Sequence, residues 1–174
     1  NTIINAQNSG TFARLVLGML ARAEKNVILQ GDESLSNRDF LRVIKPLNQF
    51  GVKITSKKNK LPIKIVGTKY LRPIKYEETK GSAQVKSCIM MAALNSPGIT
   101  NINCLPSRDH TERLFKYLDL NIKIKKKINK HNISIEGGKQ YKAFNYKIPG
   151  DISSASFFIV LTILSKNSKL VIKN

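Results

Sequence analysis

Gly81-Ser82-Ala83-Gln84-Val85-Lys86-Ser87, followed by the apolar run Cys88 to Leu94, is the stretch around which this chain is organised. A glycine and a small polar cluster open a helix here. Such a start leaves backbone N–H groups unpaired at the positive end of the helix dipole, which favours an anion, phosphate above all. Ser82, Gln84 and Lys86 offer hydroxyl, amide and cationic contacts. Taken alone, the stretch reads first as a core helix that Ser82 merely caps. Its neighbours decide the matter.

The same pattern restarts along the chain. Gly10, Gly81 and Gly150 stand at nearly equal intervals, and Arg38-Asp39 recurs one such interval later as Arg108-Asp109. Between these marks the periodicity predicts helices at about Phe12–Ala23 and Arg38–Phe50, the second with Phe40, Leu41, Ile44, Leu47 and Phe50 on one face and Gly51 as its terminating glycine. Strands are expected at Asn26–Gln30, Val52–Thr55 and Pro62–Val66, with polar turns at Asn5–Thr11 and Glu33–Asn37. The next copy runs through an extended Pro73–Glu77, a helix Ser82–Leu94 and a strand Ile99–Leu105. A helix from Ser107 to about Leu118 and strands Ile122–Ile128 and Ile133–Glu136 complete it. A third restart at Ile148–Asp151 leads to a helix Ser153–Leu164, with Asp151 as its N-cap, and a strand Lys169–Ile172. Each unit has two apolar helices that its own strands cannot cover. The copies should therefore pack around a shared helical core with sheets outside, an α+β fold of βαβαββ repeats.

Composition fits this reading. The 174 residues, 41% hydrophobic, support one domain or two small ones. No apolar run has transmembrane length and no secretory signal opens the chain. It begins at Asn1 and ends in the apolar Leu170-Val171-Ile172, so both ends read as cut from a larger protein. The net charge of +19 raises a nucleic-acid surface, but seven of the thirty basic residues are Arg and the Lys residues are scattered. Charge of this kind also steers small anions. The Lys123–Lys130 run reads as a strand with one solvated face. Cys88 and Cys104 lack metal spacing and read as buried free thiols of a reducing compartment.

Five motifs make the chain recognisable: Asn8-Ser9-Gly10-Thr11-Phe12-Ala13-Arg14, Gly31-Asp32-Glu33-Ser34-Leu35-Ser36-Asn37-Arg38, Gly81 to Ser87, Ser107-Arg108-Asp109-His110-Thr111-Glu112-Arg113, and Pro149-Gly150-Asp151-Ile152-Ser153-Ser154-Ala155. In their order and spacing the chain resembles the 5-enolpyruvylshikimate-3-phosphate synthase (3-phosphoshikimate 1-carboxyvinyltransferase) family. The Ser-Ala-Gln and Ser-Arg-Asp-His forms look like its glyphosate-tolerant branch. The resemblance implies a two-domain enzyme with three βαβαββ copies per domain. Residues 1–147 would be the later two copies of the first domain, and residues 148–174 the crossover and start of the second.

The resemblance also implies the chemistry. An enolpyruvyl group passes from phosphoenolpyruvate to the 5-hydroxyl of shikimate-3-phosphate, and phosphate leaves. Two anions held side by side need fixed cations and N–H donors. By motif, Ser82, Ala83, Gln84, Ser107 and Arg108 would bind shikimate-3-phosphate, Ala83 through its backbone alone. Gly10, Arg38 and Gln84 would bind phosphoenolpyruvate, Gly10 because ligand must approach the backbone closely. Arg14 reads as a structural ion-pair partner, and His110 as a loop-shaping or solvent-facing residue. No catalytic acid or base, metal or cofactor is implied within this chain, so in isolation it is expected to be inactive. Its partners would be the two small anions and the remainder of a cytoplasmic enzyme, with no specific nucleic acid and no membrane. The alternative within the fold is a UDP-N-acetylglucosamine enolpyruvyl transferase, which needs a reactive Cys in a mobile loop. Neither Cys88 nor Cys104 falls in one. The alternative of another class is a basic nucleic-acid-binding module, for which the sequence shows no motif.

Overall fold

Val27 and Leu29 leave the strand Asn26–Gln30 on one side and are buried, while Asn26 and Gln30 are exposed. That alternation fixes which face of a sheet meets the helices. In the computed structural model, which describes residues 2–139 and 142–173, this strand (β2) pairs in parallel with Thr2–Asn5 (β1) and antiparallel with Ile63–Val66 (β4). Lys53–Ser56 (β3) pairs antiparallel with β4 on its far side. The strand order is β1-β2-β4-β3. The second sheet repeats it. Lys75–Glu78 (β5) is parallel to Gly98–Cys104 (β6), which pairs antiparallel with Lys130–Gly137 (β8), and Ile122–Lys127 (β7) lies outside β8. The order β5-β6-β8-β7 is the same topology a second time.

Five helices sit among these strands: Gly10–Met19 (α1), Glu33–Ser36 (α2), Leu41–Gln49 (α3), Ala83–Leu94 (α4) and His110–Tyr117 (α5). Helix α4 is apolar nearly all round, and Val85 to Met90, Ala92 and Ala93 are buried. A helix of that kind belongs inside. It packs on α1 so closely that a Cβ on Gly18 would lie 3.0 Å from the Cys88 carbonyl carbon and 3.1 Å from its Cα. Leu17, Phe40, Leu47, Phe50, Ile89, Met90 and Phe115 are at most 2% exposed. Each such side chain contributes roughly 1.5–3 kcal/mol on burial. Helices inside and sheets outside, in βαβαββ copies, is the expected fold.

Residues 142–173 form a second unit. Its helix Ile152–Leu164 (α6) is N-capped by Asp151, whose carboxylate accepts from the Ser153 amide at 3.0 Å and the Ser154 hydroxyl at 2.8 Å. Among the described residues no helix is long and apolar enough to cross a membrane.

The structure differs from the sequence reading at four places. Glu33–Ser36 is a helical turn rather than a loop, because Asp32 caps it at 2.8 Å from the Leu35 amide and Leu35 anchors it in the core. Thr2–Asn5 is a strand that the sequence reading does not mark. The Lys123–Lys130 run is strand over Lys123–Lys127, nearly all of β7, and then turns so that Lys130 opens β8. Lys169–Ile172 is not a strand, since no described residue pairs with it.

Cys88 and Cys104 are free and buried. Burial pushes the Cys88 thiol up to about 12, and burial raises Cys104 as well. A raised thiol value favours the neutral form in the fold. Its contribution to stability is complete below the unfolded value near 9 and is lost as pH rises towards 12. Iodoacetamide at pH 8 is therefore expected to leave Cys88 unmodified in the folded chain and to alkylate it after denaturation. Mass spectrometry of the two digests checks this, and rapid native alkylation of Cys88 contradicts it.

Candidate functional site

Ser9 and Ser82 cap α1 and α4 at corresponding places in the two copies. Their hydroxyls accept from the Phe12 and Val85 amides at 3.1 and 3.4 Å. The two copies thus bring equivalent helix starts together across the α1–α4 contact. In α4 the first-turn amides of Ala83 and Gln84 have no acceptor among the described residues. Upstream, the Glu78 carboxylate takes the Lys80 and Ser82 amides at 3.1 and 3.0 Å.

Gln84 joins the helix starts directly. Its Nε2 donates to Thr11 Oγ1 at 2.8 Å, and its Oε1 accepts from Arg14 Nη1 at 3.2 Å. Arg14 also donates to the carbonyls of Gly10 at 3.1 Å and Asp39 at 3.3 Å, and its guanidinium stacks on Phe40, 4.8 Å from the ring centroid. It is thus not the ion-pair partner expected from sequence. Its partners are carbonyl and amide oxygens, because the nearest elements present backbone edges rather than carboxylates.

Gly10 lies beneath two guanidiniums. A Cβ there would sit 2.8 Å from Arg14 Nη1 and 3.2 Å from Arg38 Nη1. Arg38 is exposed between α2 and α3 and donates to Asn8 Oδ1 at 3.5 Å. Burial first, then the charges of Arg42 and Arg38, hold Arg14 below the ordinary guanidinium value, with Asp39 opposing. Cations crowded against one another with a single opposing carboxylate are an arrangement that a bound anion relieves.

Beside this cluster lies a cleft of about 160 Å³, lined by Thr11, Leu15, Ala83, Gln84, Ser87, Arg108, His110 and Thr111. The Ser87 and Thr111 hydroxyls bond to each other at 2.7 Å. Three sequence-distant motifs therefore meet in one place. Ser82 and Ser107 stand outside the lining, and the Ser107 hydroxyl is shielded from solvent with no partner among the described residues. His110 is exposed as the first residue of α5. A larger depression of about 440 Å³ lies elsewhere, lined by Ile99, Leu120, Asn121, Lys123, Ser134 and Glu136 among others. It holds none of the candidate binding residues, and its Asn121 and Glu136 side chains satisfy each other at 2.7 Å. The smaller cleft is the one that gathers candidate residues from three motifs.

Lys86 departs from its expected role as a cationic contact. Its side chain is 0% exposed, 2.6 Å from Glu112 Oε1, and it donates to the Arg108 carbonyl at 2.9 Å. At its phase of α4, Lys86 points into protein and is absent from the cleft lining, while Ala83, Gln84 and Ser87 line it. Sequence reasoning also passes over Thr11, Ser87 and Thr111, whose only signal is a small hydroxyl in the first turns of a helix.

The EPSP synthase (3-phosphoshikimate 1-carboxyvinyltransferase) family model matches residues 1–174. A 3-phosphoshikimate 1-carboxyvinyltransferase of Clostridium tetani is 41% identical over 98% of this chain and 38% of its own length. One from Vesicomyosocius okutanii is 45% identical over 97% and 38%. A solved EPSP synthase of Acinetobacter baumannii is similar with a TM-score of 0.77 at 39% identity, over 92% of this chain and 36% of that one. The chain spans about two fifths of the length of these relatives. A family match along its whole length, on the repeated architecture that the solved relative shares, means that the chain belongs to the EPSP synthase family.

Proposed function

We propose that this chain supplies anion-binding residues for transfer of the enolpyruvyl group from phosphoenolpyruvate to the 5-hydroxyl of shikimate-3-phosphate, with release of phosphate. The observation that carries the reading is the meeting of Gly10, Arg38 and Gln84 through the Arg14 guanidinium, beside a cleft lined by Ala83 and Arg108. Arg38 and Gln84 would hold phosphoenolpyruvate over the bare Cα of Gly10. Ser82, Ser107, Arg108 and the free amides at Ala83 and Gln84 would hold shikimate-3-phosphate. Fixed donors around two adjacent anions offset the repulsion that otherwise keeps them apart.

Residues 1–147 would be two of three copies in the first domain, and residues 148–174 the crossover into the second. Exposed Phe12 and Met19, one face of α1, support a further copy packing there. We assign no catalytic acid or base to this chain, so turnover would require the rest of the enzyme. The pathway would be the cytoplasmic shikimate route to aromatic amino acids, in keeping with two free buried thiols.

Calorimetric titration with shikimate-3-phosphate tests the reading. Saturable binding is expected, with affinity falling at least about tenfold in Arg108→Ala, the loss of one charge-assisted contact. A folded chain that binds unrelated polyanions equally well, and loses neither ligand in the variant, overturns it in favour of simple electrostatics.

A further inference from the structure

We propose that Lys86 is a positioning residue for Arg108, with Glu112 as its buried counter-ion. This rests on the reading above, in which Arg108 contacts the substrate phosphate.

Lys86 sits on α4, in the turn after the free amides of Ala83 and Gln84. Its ammonium bonds the Arg108 carbonyl at 2.9 Å and Glu112 at 2.6 Å, with the two side chains 0% and 3% exposed. The bond therefore ties the peptide that follows Arg108 to the helix carrying Gln84. Fixing that carbonyl fixes the direction in which the Arg108 side chain leaves the backbone. Ser87 and Thr111, the neighbours of Lys86 and Glu112 in sequence, bond at 2.7 Å and add a second tie between α4 and α5. Two sides of the cleft are thus set relative to each other by a hydroxyl pair in its wall and by the Lys86 ion pair, which lies behind the lining.

The fold itself does not need a charge here. Lys86 lies one helical turn after the cap Ser82, and the equivalent position after the cap Ser9 is Ala13, 0% exposed. The first copy closes its core at that position with a methyl group. A buried ion pair is moreover a weak source of stability, because desolvation of both charges offsets their attraction, and an apolar pair of similar volume often serves as well. The neighbourhood is not optimised for stability in other respects either. Ser107 Oγ and Glu112 Oε2 are both shielded from solvent without a partner among the described residues, and they flank the Arg108 segment in sequence. A costly polar arrangement present in one copy only, with a hydrogen bond to the residue at the cleft, points to orientation as its role.

Four variants of the full chain separate orientation from stability. They are Lys86→Met, Glu112→Gln, the double Lys86→Met/Glu112→Leu, and that double with Arg108→Ala. Each is followed by thermal unfolding and by shikimate-3-phosphate titration. Lys86→Met alone should lower both melting temperature and affinity, since Glu112 is left unpaired. The apolar double variant should regain most of the melting temperature yet bind at least about tenfold more weakly than the unaltered chain. Arg108→Ala should then cost little further, because a misdirected Arg108 has little left to lose. Glu112→Gln keeps the Lys86–Arg108 hydrogen bond and should hold affinity within about threefold even at a lowered melting temperature. That variant decides the matter if the double does not fold. Wild-type affinity in the folded double variant overturns the inference while leaving the substrate reading intact, as does a fall in Glu112→Gln affinity equal to that in Lys86→Met. An unaltered chain that is folded and binds no shikimate-3-phosphate overturns the substrate reading, and the positioning role falls with it.

Discussion

Gly18→Ala is expected to destabilise the chain by about 3 kcal/mol, at the upper end of what overpacking costs. The added Cβ would lie far inside van der Waals contact distance of the Cys88 carbonyl oxygen, and only 3.0 Å from the carbonyl carbon. These are backbone atoms in the middle of the most buried helix, so no rotamer change relieves the clash. Helices α1 and α4 must separate, and Leu17, Ile89 and Met90 lose contact together. In a host-guest helix alanine is favoured over glycine by roughly 1 kcal/mol. The sign of the measurement therefore discriminates between propensity and packing. For a chain of this size about 3 kcal/mol corresponds to a fall in melting temperature near 10 °C. Thermal unfolding by circular dichroism reads it. A melting temperature equal to or above that of the unaltered chain would mean that α1 and α4 can part at this crossing without loss.

This close approach is not legible in the sequence. Periodicity marks Phe12–Ala23 and Ser82–Leu94 as apolar helices, and the structure has α1 and α4 there. What periodicity cannot report is which glycine lies at a crossing, since that depends on partners a whole repeat away. The repeat, by contrast, is legible. Its marks are local, a small polar cap before an apolar run and Arg-Asp before a second helix, and each copy repeats the same local physics. The misread elements are those decided by neighbours. The Asp32 turn is hidden by a Ser- and Asn-rich composition that also suits loops, and the Leu170–Ile172 run has the residues of a strand without a paired edge.

The candidate site shows the same division. Residue types that bind anions stand out, and Gly10, Arg38, Gln84 and Arg108 lie around two adjoining features of one surface. Their supports do not stand out. Lys86 has the composition of a ligand contact and the burial of a core residue, and Arg14 has the charge of an ion-pair partner and the bonds of a scaffold. A side chain's type gives its chemistry, while its direction is set by helix phase and by what the next repeat places opposite.

Gly10→Ala carries the second large effect, and it separates binding from folding. The atoms its Cβ would meet are Arg14 Nη1 at 2.8 Å and Arg38 Nη1 at 3.2 Å, the far ends of flexible side chains. They can yield at small cost, and Gly10 opens α1 without a left-handed backbone, so alanine fits the local conformation. Stability should stay within about 1 kcal/mol of the unaltered chain, helix propensity and crowding opposing each other. Binding should not survive as well. The methyl group occupies the surface over which Arg38 and Gln84 would hold phosphoenolpyruvate, and it displaces the guanidinium that fixes Gln84 Oε1. A shift of about 1 Å in fixed donors is enough to cost a hundredfold in well-oriented systems. We expect phosphoenolpyruvate affinity, titrated calorimetrically with shikimate-3-phosphate present, to fall by at least about tenfold. Arg38→Ala should fall as far through loss of the charge itself. Shikimate-3-phosphate binding alone should change less in both, because Arg108 and Ala83 line the cleft and neither is among the atoms that a Cβ on Gly10 would meet. Unchanged phosphoenolpyruvate affinity in a folded Gly10→Ala chain would remove Gly10 from the site. A parallel loss of both ligands would instead mean that Arg14 couples the two halves through Gln84, and that the anions share one set of donors.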